Sequence, residues 1–249
     1  ELSQSLRVLM RIARARKEQR RQSDALELDS QEVAFRFDGD GSKASKAEDG
    51  VMQLPTGMRR LSDGEPSETH SLIEELMVLA NVSVAEEIVR TFPSKSLLRH
   101  HPRPNLEDFD DIRAALERRT LPFDARGNAA LSRTLRATRG PEEESFGSVV
   151  RALCTRRMKM AQYFRTGSMA PKMWMHSGLG EPLYTHFTSP IRRYCDQVVH
   201  RQLAHAIGWR ALPAEGWYTD NLDDLAESLN ERHKMAQEAE RKSEALYLT

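Results

Sequence analysis

Residues 184–203, YTHFTSPIRRYCDQVVHRQL, carry the strongest structural signal in this chain of 249 residues. Ser189 is a residue type that caps helix N-termini, and Pro190 is favoured at the first helical position. Apolar side chains then recur every three to four residues, which is the spacing of a half-buried helix. Gly208 supplies a C-terminal stop. The pattern therefore predicts a helix over residues 190–207.

Two adjacent arginines, Arg192 and Arg193, fall in the first turn of this predicted helix. A helix N-terminus carries partial positive charge, so two cations are disfavoured there unless an anion also binds. Free backbone N–H groups, the Ser189 hydroxyl and both guanidinium groups would together hold a phosphate. The alternative is an ordinary helical ion pair between one of the arginines and Asp196. The residues alone leave both interpretations open.

The formal charges of the whole chain cancel, since 37 lysines and arginines stand against 37 aspartates and glutamates. That balance argues against a histone-like nucleic-acid binder. The charges are nevertheless unevenly distributed, because residues 150–210 hold ten basic and only two acidic residues. Eight of the ten are arginines, which suit two-pronged contacts to phosphate. The segment is either a phosphate-binding surface or a solvated basic face that acidic neighbours balance.

The rest of the pattern predicts a helix-rich, mixed α/β (α+β) fold. Ser71 with Glu74 resembles a capping box, which predicts the start of a long central helix that ends before Pro93. The proline-rich stretch 92–105, with His100 and His101, is predicted to be an exposed loop. Both ends of the chain have helical patterns, so we expect a piece of a longer protein. Further predicted elements are helices at 2–21, 106–119, 128–138 and 145–164, a last helix from about 220, and extended chain at 25–37.

Several functional classes are excluded by composition. Two cysteines, Cys154 and Cys195, exclude a disulfide framework and a cysteine-based zinc site, and both are expected to be inert core thiols. No run of eighteen apolar residues occurs, so no membrane partner is predicted. The acidic group Asp108, Asp110 and Asp111 is expected to be a solvated or capping face, as most charge clusters are.

Four ordered segments carry a family resemblance. The run THFTSPIRRY at 185–194 is followed by Asp196 and by His200-Arg201. The other three segments are SDALELDSQEVAFRFD at 23–38, THSLIEELMVLANVSVAEEI at 69–88 and RHKMAQEAER at 232–241. Together they resemble the RNase II (RNB) family of exoribonucleases, and their amino-acid sequences are most similar to its eukaryotic branch. The resemblance covers nearly the whole chain.

The resemblance implies that residues 1–249 are the helix-rich C-terminal portion of an RNB-type catalytic domain. It implies 3′-to-5′ hydrolysis of single-stranded RNA to nucleoside 5′-monophosphates. By position, Arg192 matches the arginine that family enzymes place beside the scissile phosphate, and Glu240 matches an acidic residue near the same site. Further candidate RNA contacts are Thr188, Ser189, Arg193, His200 and Arg201.

The family's metal-binding aspartates have no match in this chain. The resemblance therefore implies that the Mg²⁺ ligands, and accessory RNA-binding domains, lie upstream. It also implies exosome core subunits as partners and a nuclear and cytoplasmic location. Two alternatives stay open: a catalytically inactive RNB-like RNA-binding or scaffold subunit, and a purely structural helical subunit of a larger complex. The second predicts that Arg192 is buried against Asp196.

Overall fold

The computed structural model describes residues 2–23, 25–26, 32–36, 57–61, 68–137, 144–211 and 221–248. The chain divides into two compact units. The first comprises Glu1–Leu28 and Glu68–Asn230, and the second comprises Asp29–Ser67 and Glu231–Thr249. Every residue of the predicted 184–203 motif lies in the first unit.

The fold is helix-rich with short strands, which confirms the predicted mixed α/β class. Within the described ranges, no helix is both long enough and apolar enough to cross a membrane. The helices are α1 (Leu2–Gln22), α2 (Glu68–Thr91), α3 (Asp110–Glu117), α4 (Asn128–Ala137), α5 (Glu144–Arg157), α6 (Tyr194–Ala206) and α7 (Leu222–Leu248). The strands are β1 (Glu32–Arg36), β2 (Gly57–Leu61), β3 (Leu97–His100) and β4 (Gln162–Arg165).

The described strands of the second unit pair antiparallel, β1 with β2, and Phe35 lies opposite Met58. Strand β1 falls inside the stretch 25–37 that the sequence predicts to be extended. The later part of α7 also belongs to this unit.

Helix α2 is the central helix that the sequence predicts, and it ends at Thr91, before Pro93. Its start differs, because the helix begins at Glu68 and Ser71 therefore lies inside it. The Ser71 hydroxyl accepts a hydrogen bond from Lys17 Nζ of α1 at 3.2 Å instead of capping the helix. Helix α1 lies along α2 and is joined to it by an ion pair between Arg20 and the buried Glu75.

Strands β3 and β4 were not expected from the sequence, which predicts a loop at 92–105 and a helix that continues to 164. The two strands pair antiparallel, with Leu98 opposite Phe164, and α5 ends at Arg157. Each strand has only four residues and all of β3 is buried, so no polar–apolar alternation marks it. His100, predicted to be exposed, is consequently buried.

The main hydrophobic core of the first unit packs α2, α6 and the start of α7 against β3 and β4. Burial of these side chains fixes the position of α6 against α2, and the candidate site lies at the start of α6. The completely buried side chains of this core include Ile88, Leu97, Leu98, Val198, Val199 and Leu222.

A second core joins α3, α4 and α5 around Phe109, and Cys154 is buried in it, as predicted. Burial raises the pKa of the Cys154 thiol to about 12, which keeps it protonated. Asp110 and Asp111 form ion pairs with Arg113 and Arg157 at 2.8 and 2.6 Å. Both carboxylates are exposed, in agreement with the predicted solvated face.

Candidate functional site

The candidate site is the segment of residues 187–193, called the arginine loop, which leads into α6. The sequence places the helix start at Pro190, but α6 begins at Tyr194, and Arg193 has an extended backbone with φ −127° and ψ 119°. The Ser189 carbonyl accepts hydrogen bonds from the N–H groups of Arg192 at 3.3 Å and Arg193 at 3.1 Å. The two arginines therefore lie in a turn before the helix, and the predicted first-turn placement is wrong.

A buried carboxylate, Asp196, explains why the helix starts late. Its Oδ1 accepts hydrogen bonds from the Ser189 N–H at 2.7 Å and from Arg193 Nη2 at 2.8 Å. Its Oδ2 accepts a further hydrogen bond from Arg193 Nε at 2.8 Å. These bonds pull residues 189–193 back over the first turn of α6, in a path that a continuous helix cannot follow.

The charges of this pair stabilise each other. Burial would raise the pKa of Asp196, but hydrogen bonds from Arg193 and Ser189 outweigh burial and lower that pKa below its usual value. The ion pair predicted as the alternative to phosphate binding is therefore confirmed for Arg193. A direct contact between Arg193 and RNA stays a prediction.

A buried amide on α2 holds the beginning of the arginine loop. Asn81 Oδ1 accepts hydrogen bonds from the N–H groups of Phe187 at 2.9 Å and Thr188 at 3.3 Å. Asn81 Nδ2 donates to the Tyr184 hydroxyl at 3.0 Å. The loop is thus tied to the central helix by a side chain that lies more than one hundred positions earlier in the chain.

Two side chains of α6 hold the loop from the other side. His200 Nε2 donates to the Phe187 carbonyl at 2.9 Å, since a carbonyl oxygen accepts only. The His200 ring also stacks on Phe187, with ring centroids 4.3 Å apart. Gln197 Nε2 donates to the Pro190 carbonyl at 3.0 Å. His200 therefore braces the loop, and its predicted RNA contact is not needed to explain its position.

The tip of the arginine loop points outward. Ile191 is fully exposed, and the Arg192 side chain is exposed without an ion pair in the part of the chain that the structure describes. The alternative that buries Arg192 against Asp196 is wrong, because Arg193 occupies that carboxylate. A guanidinium with unused donors, held on a braced loop, is suited to receive a phosphate.

The two hydroxyls predicted to contact RNA lie at the base of the same loop. Thr188 Oγ1 is buried and has no hydrogen-bond partner among the described residues, while Ser189 is half-buried. A buried hydroxyl without a partner costs on the order of 1–3 kcal/mol. Thr188 is therefore placed where an incoming acceptor would lower the free energy of the site.

Polar side chains that are buried or half-buried form a hydrogen-bonded chain next to Asp196. Tyr163 is within 3.0 Å of the Cys195 sulfur and within 2.7 Å of His186 Nδ1. Burial, reinforced by the charges of Arg193 and Arg99, lowers the pKa of His186 to about 2. Burial raises the pKa of Cys195 to about 12. These groups are therefore neutral at physiological pH, and Cys195 is the inert core thiol that the sequence predicts.

One group of described residues brings three potential metal ligands together, namely His186, Cys195 and Asp196, with ligand atoms within 4.8 Å of one another. Tyr163 engages His186 Nδ1 and Arg193 engages the Asp196 carboxylate, and the Arg193 charge disfavours a further cation. A nitrogen–sulfur–oxygen set is also the wrong donor set for Mg²⁺, which prefers oxygen. The described residues therefore do not fit Mg²⁺, and its location upstream stays a prediction.

The remaining predicted residues lie away from this loop in sequence. Arg201 is exposed on α6. Glu240 is exposed on α7, within the second unit, and its catalytic role stays a prediction. Part of the basic segment 150–210 is neutralised internally, because Arg157, Arg165 and Arg193 form ion pairs with aspartates. The solvated-face interpretation therefore holds for Arg157 and Arg165, whose partners Asp111 and Asp223 are exposed.

Asn81 is the functional candidate that the sequence reasoning missed. The sequence feature that could have identified it is the single amide side chain inside the apolar run LMVLANVSVA of α2. Buried polar groups in such runs nearly always have hydrogen-bond partners, but the run does not say which. The partners lie far along the chain and required the structure.

Comparisons with known proteins identify the family of this chain. Residues 1–208 match the family described as the RNB domain. The chain is 37% identical, over 99% of its length, to the exosome complex exonuclease dis3 of Schizosaccharomyces pombe, of which it spans 24%. It thus corresponds to about a quarter of the length of the curated relatives that it matches.

Two solved structures are also similar. Mycoplasma genitalium RNase R, in complex with ribose-methylated single-stranded RNA, matches with a TM-score of 0.75 at 21% identity, over 98% of this chain and 35% of the other. Yeast Ssd1, a pseudonuclease, matches with a TM-score of 0.57 at 27% identity, over 67% of this chain and 20% of the other. The family match over residues 1–208 decides the assignment: this chain belongs to the RNB domain family.

Proposed function

We propose that this chain is part of a 3′-to-5′ exoribonuclease that hydrolyses single-stranded RNA to nucleoside 5′-monophosphates in RNA processing and decay. The observation that carries the proposal is the exposed Arg192 at the tip of a loop whose backbone is tied to both α2 and α6. Membership of the RNB family and the similarity to an exosome exonuclease support it.

The role proposed for Arg192 is to hold the non-bridging oxygens of the scissile phosphate. Negative charge builds on these oxygens in the transition state, and a guanidinium already in place stabilises it without reorganisation. The ties to Asn81, Asp196, Gln197 and His200 provide that fixed placement.

The other predicted residues take supporting roles in this proposal. The hydroxyls of Thr188 and Ser189 bind the same phosphate or its neighbour, and Glu240 acts near the reacting group as the resemblance implies. Arg201 binds the RNA backbone. Arg193, which forms an ion pair with Asp196, maintains the conformation of the loop. The exposed basic residues between 150 and 210 attract the RNA, so binding weakens as salt rises.

The wider assignment rests on the family and is also part of the proposal. Residues 1–249 form a partial RNB catalytic domain, and the Mg²⁺ ligands and accessory RNA-binding domains lie upstream in the same protein. Because the described residues do not fit Mg²⁺, this chain contributes phosphate binding, orientation and charge neutralisation. The whole protein assembles with exosome core subunits and acts in the nucleus and cytoplasm.

A second candidate function is an inactive RNB-like protein that binds RNA as a scaffold. The similarity to Ssd1, a pseudonuclease, supports this second function. The arginine loop is compatible with it, since an exposed arginine can bind phosphate without catalysis.

Decay of end-labelled RNA by the full-length protein separates these functions. With Mg²⁺ present, the exoribonuclease releases labelled 5′-monophosphate from 3′-end-labelled single-stranded RNA at the earliest times. A 5′-end label remains in steadily shortened RNA. Internal fragments without monophosphates would contradict the proposal, and RNA binding without decay would establish the scaffold alternative.

A further inference from the structure

Asn81 is the buried polar side chain of the central helix that, among the described residues, hydrogen-bonds to the arginine loop. It is 2% exposed and lies in the interior of α2, between the buried residues Val78 and Val82. Its amide makes three hydrogen bonds, two from the loop N–H groups of Phe187 and Thr188 and one to the Tyr184 hydroxyl. All three partners belong to the segment that leads to Arg192.

The orientation of this amide is determined by its partners. Backbone N–H groups only donate, so the Asn81 oxygen must face Phe187 and Thr188. The amide nitrogen then faces Tyr184, whose hydroxyl can accept. The same helix is anchored in the main core by Ala85 and Ile88, which are completely buried. Asn81 therefore fixes the position of the loop relative to a rigid helix, which is the arrangement that precise functional sites require.

The other ties to the loop come from α6, which follows it directly in sequence. Asp196 and Gln197 hold Ser189 and Pro190, which lie five and four residues before the helix begins at Tyr194. Contacts of this kind fix the shape of the loop relative to α6, the helix that it leads into. Asn81 differs because it fixes the loop against a separate helix that carries no part of the motif.

We propose that Asn81 is a positioning residue for Arg192, acting through the backbone of Phe187 and Thr188. The inference rests on the proposed function of Arg192. A displacement of about 1 Å at a group that contacts the reacting phosphate lowers the rate by about 100-fold. Loss of the Asn81 bonds therefore lowers kcat for RNA decay, by about 10- to 100-fold, with little change in KM.

The test compares Asn81→Leu with Asn128→Leu in the full-length protein. Asn128 is a matched control, because it is also buried and its Nδ2 donates to a loop carbonyl, that of Ser177, at 2.7 Å. Asn81→Leu is expected to lower kcat while KM changes little, and Asn128→Leu to leave kcat unchanged. Asn81→Asp keeps the acceptor for the two N–H groups and is expected to recover most of the rate.

A double substitution separates positioning from a general structural effect. If Asn81 acts through Arg192, Asn81→Leu adds almost nothing to the loss caused by Arg192→Ala. The proposal would be overturned if Asn81→Leu and Asn128→Leu lowered kcat equally. It would also be overturned if Asn81→Leu lowered kcat as strongly in the Arg192→Ala protein as in the wild type. Should Asn81→Leu fail to fold, Asn81→Ser supplies the same comparison with a smaller side chain.

Amide hydrogen exchange gives a readout that does not need activity. Asn81→Leu is expected to accelerate exchange at Phe187 and Thr188, and to leave the amides near Ser177 unchanged. Unchanged exchange at Phe187 and Thr188 would overturn the inference. If the wild-type protein shows no RNA decay, the proposed function fails, whereas accelerated exchange in Asn81→Leu would still confirm that Asn81 holds the loop.

Discussion

Removal of the Asp196 carboxylate is the perturbation whose energetic cost the structure defines best. Asp196 is completely buried and its partner Arg193 has a side chain that is 19% exposed. Asp196→Ala leaves this guanidinium without its carboxylate and the Ser189 N–H without its acceptor. Removal of one member of a buried ion pair costs about 3–5 kcal/mol, so the free energy of unfolding is expected to fall by that amount.

The measurement is urea unfolding of the protein, followed by far-ultraviolet circular dichroism. Asp223→Ala is the matched control, since it breaks an ion pair with Arg165 in which the side chains are 26% and 47% exposed. Pairs of that exposure are worth about 0–1 kcal/mol. The double change Arg193→Met, Asp196→Leu removes both charges and is expected to recover stability relative to Asp196→Ala. Equal losses for Asp196→Ala and Asp223→Ala would refute the reasoning.

Two further predictions concern pH and RNA binding. Burial lowers the pKa of His176 to about 3 and of His186 to about 2, whereas both titrate near 6.5 when unfolded. The unfolded chain thus binds more protons, and between pH 7.5 and 5 the free energy of unfolding is expected to fall by on the order of 2 kcal/mol for each histidine. Urea midpoints that stay constant over this range would contradict the assignment. Arg201→Ala is expected to weaken RNA binding and to reduce the salt slope by about 1, and titrations with an unchanged slope would argue against a phosphate contact.

The sequence predicted the features that depend on local pattern. Apolar periodicity located α2, α6 and α7, and Gly208 ends α6 in the left-handed conformation, at φ 71°, as a C-terminal stop does. The three-residue spacing between Arg193 and Asp196 also indicated their ion pair. These predictions succeed because neighbours within about four residues determine helix propensity and termination.

The parts that failed depend on contacts between distant residues. Strand β3 is recognisable only through its pairing with β4, more than sixty residues later, because four consecutive buried residues have no strand signature. The start of α6 is determined by the hydrogen bond between Asp196 and Ser189, although Pro190 favours an earlier start. Local preference was overridden where a buried carboxylate needed its hydrogen bonds satisfied.

The central claim is that the braced loop presents Arg192 to the phosphate at which RNA is cleaved. The most direct measurement is the single-turnover rate of decay of labelled single-stranded RNA by full-length protein carrying Arg192→Ala, with RNA affinity measured in parallel. Arg118→Ala, at an exposed arginine outside the basic segment 150–210, is the control. The account predicts a rate lowered by about 100- to 1,000-fold with nearly unchanged affinity, because the contact strengthens in the transition state. Equal rates for Arg192→Ala and the wild type would contradict it.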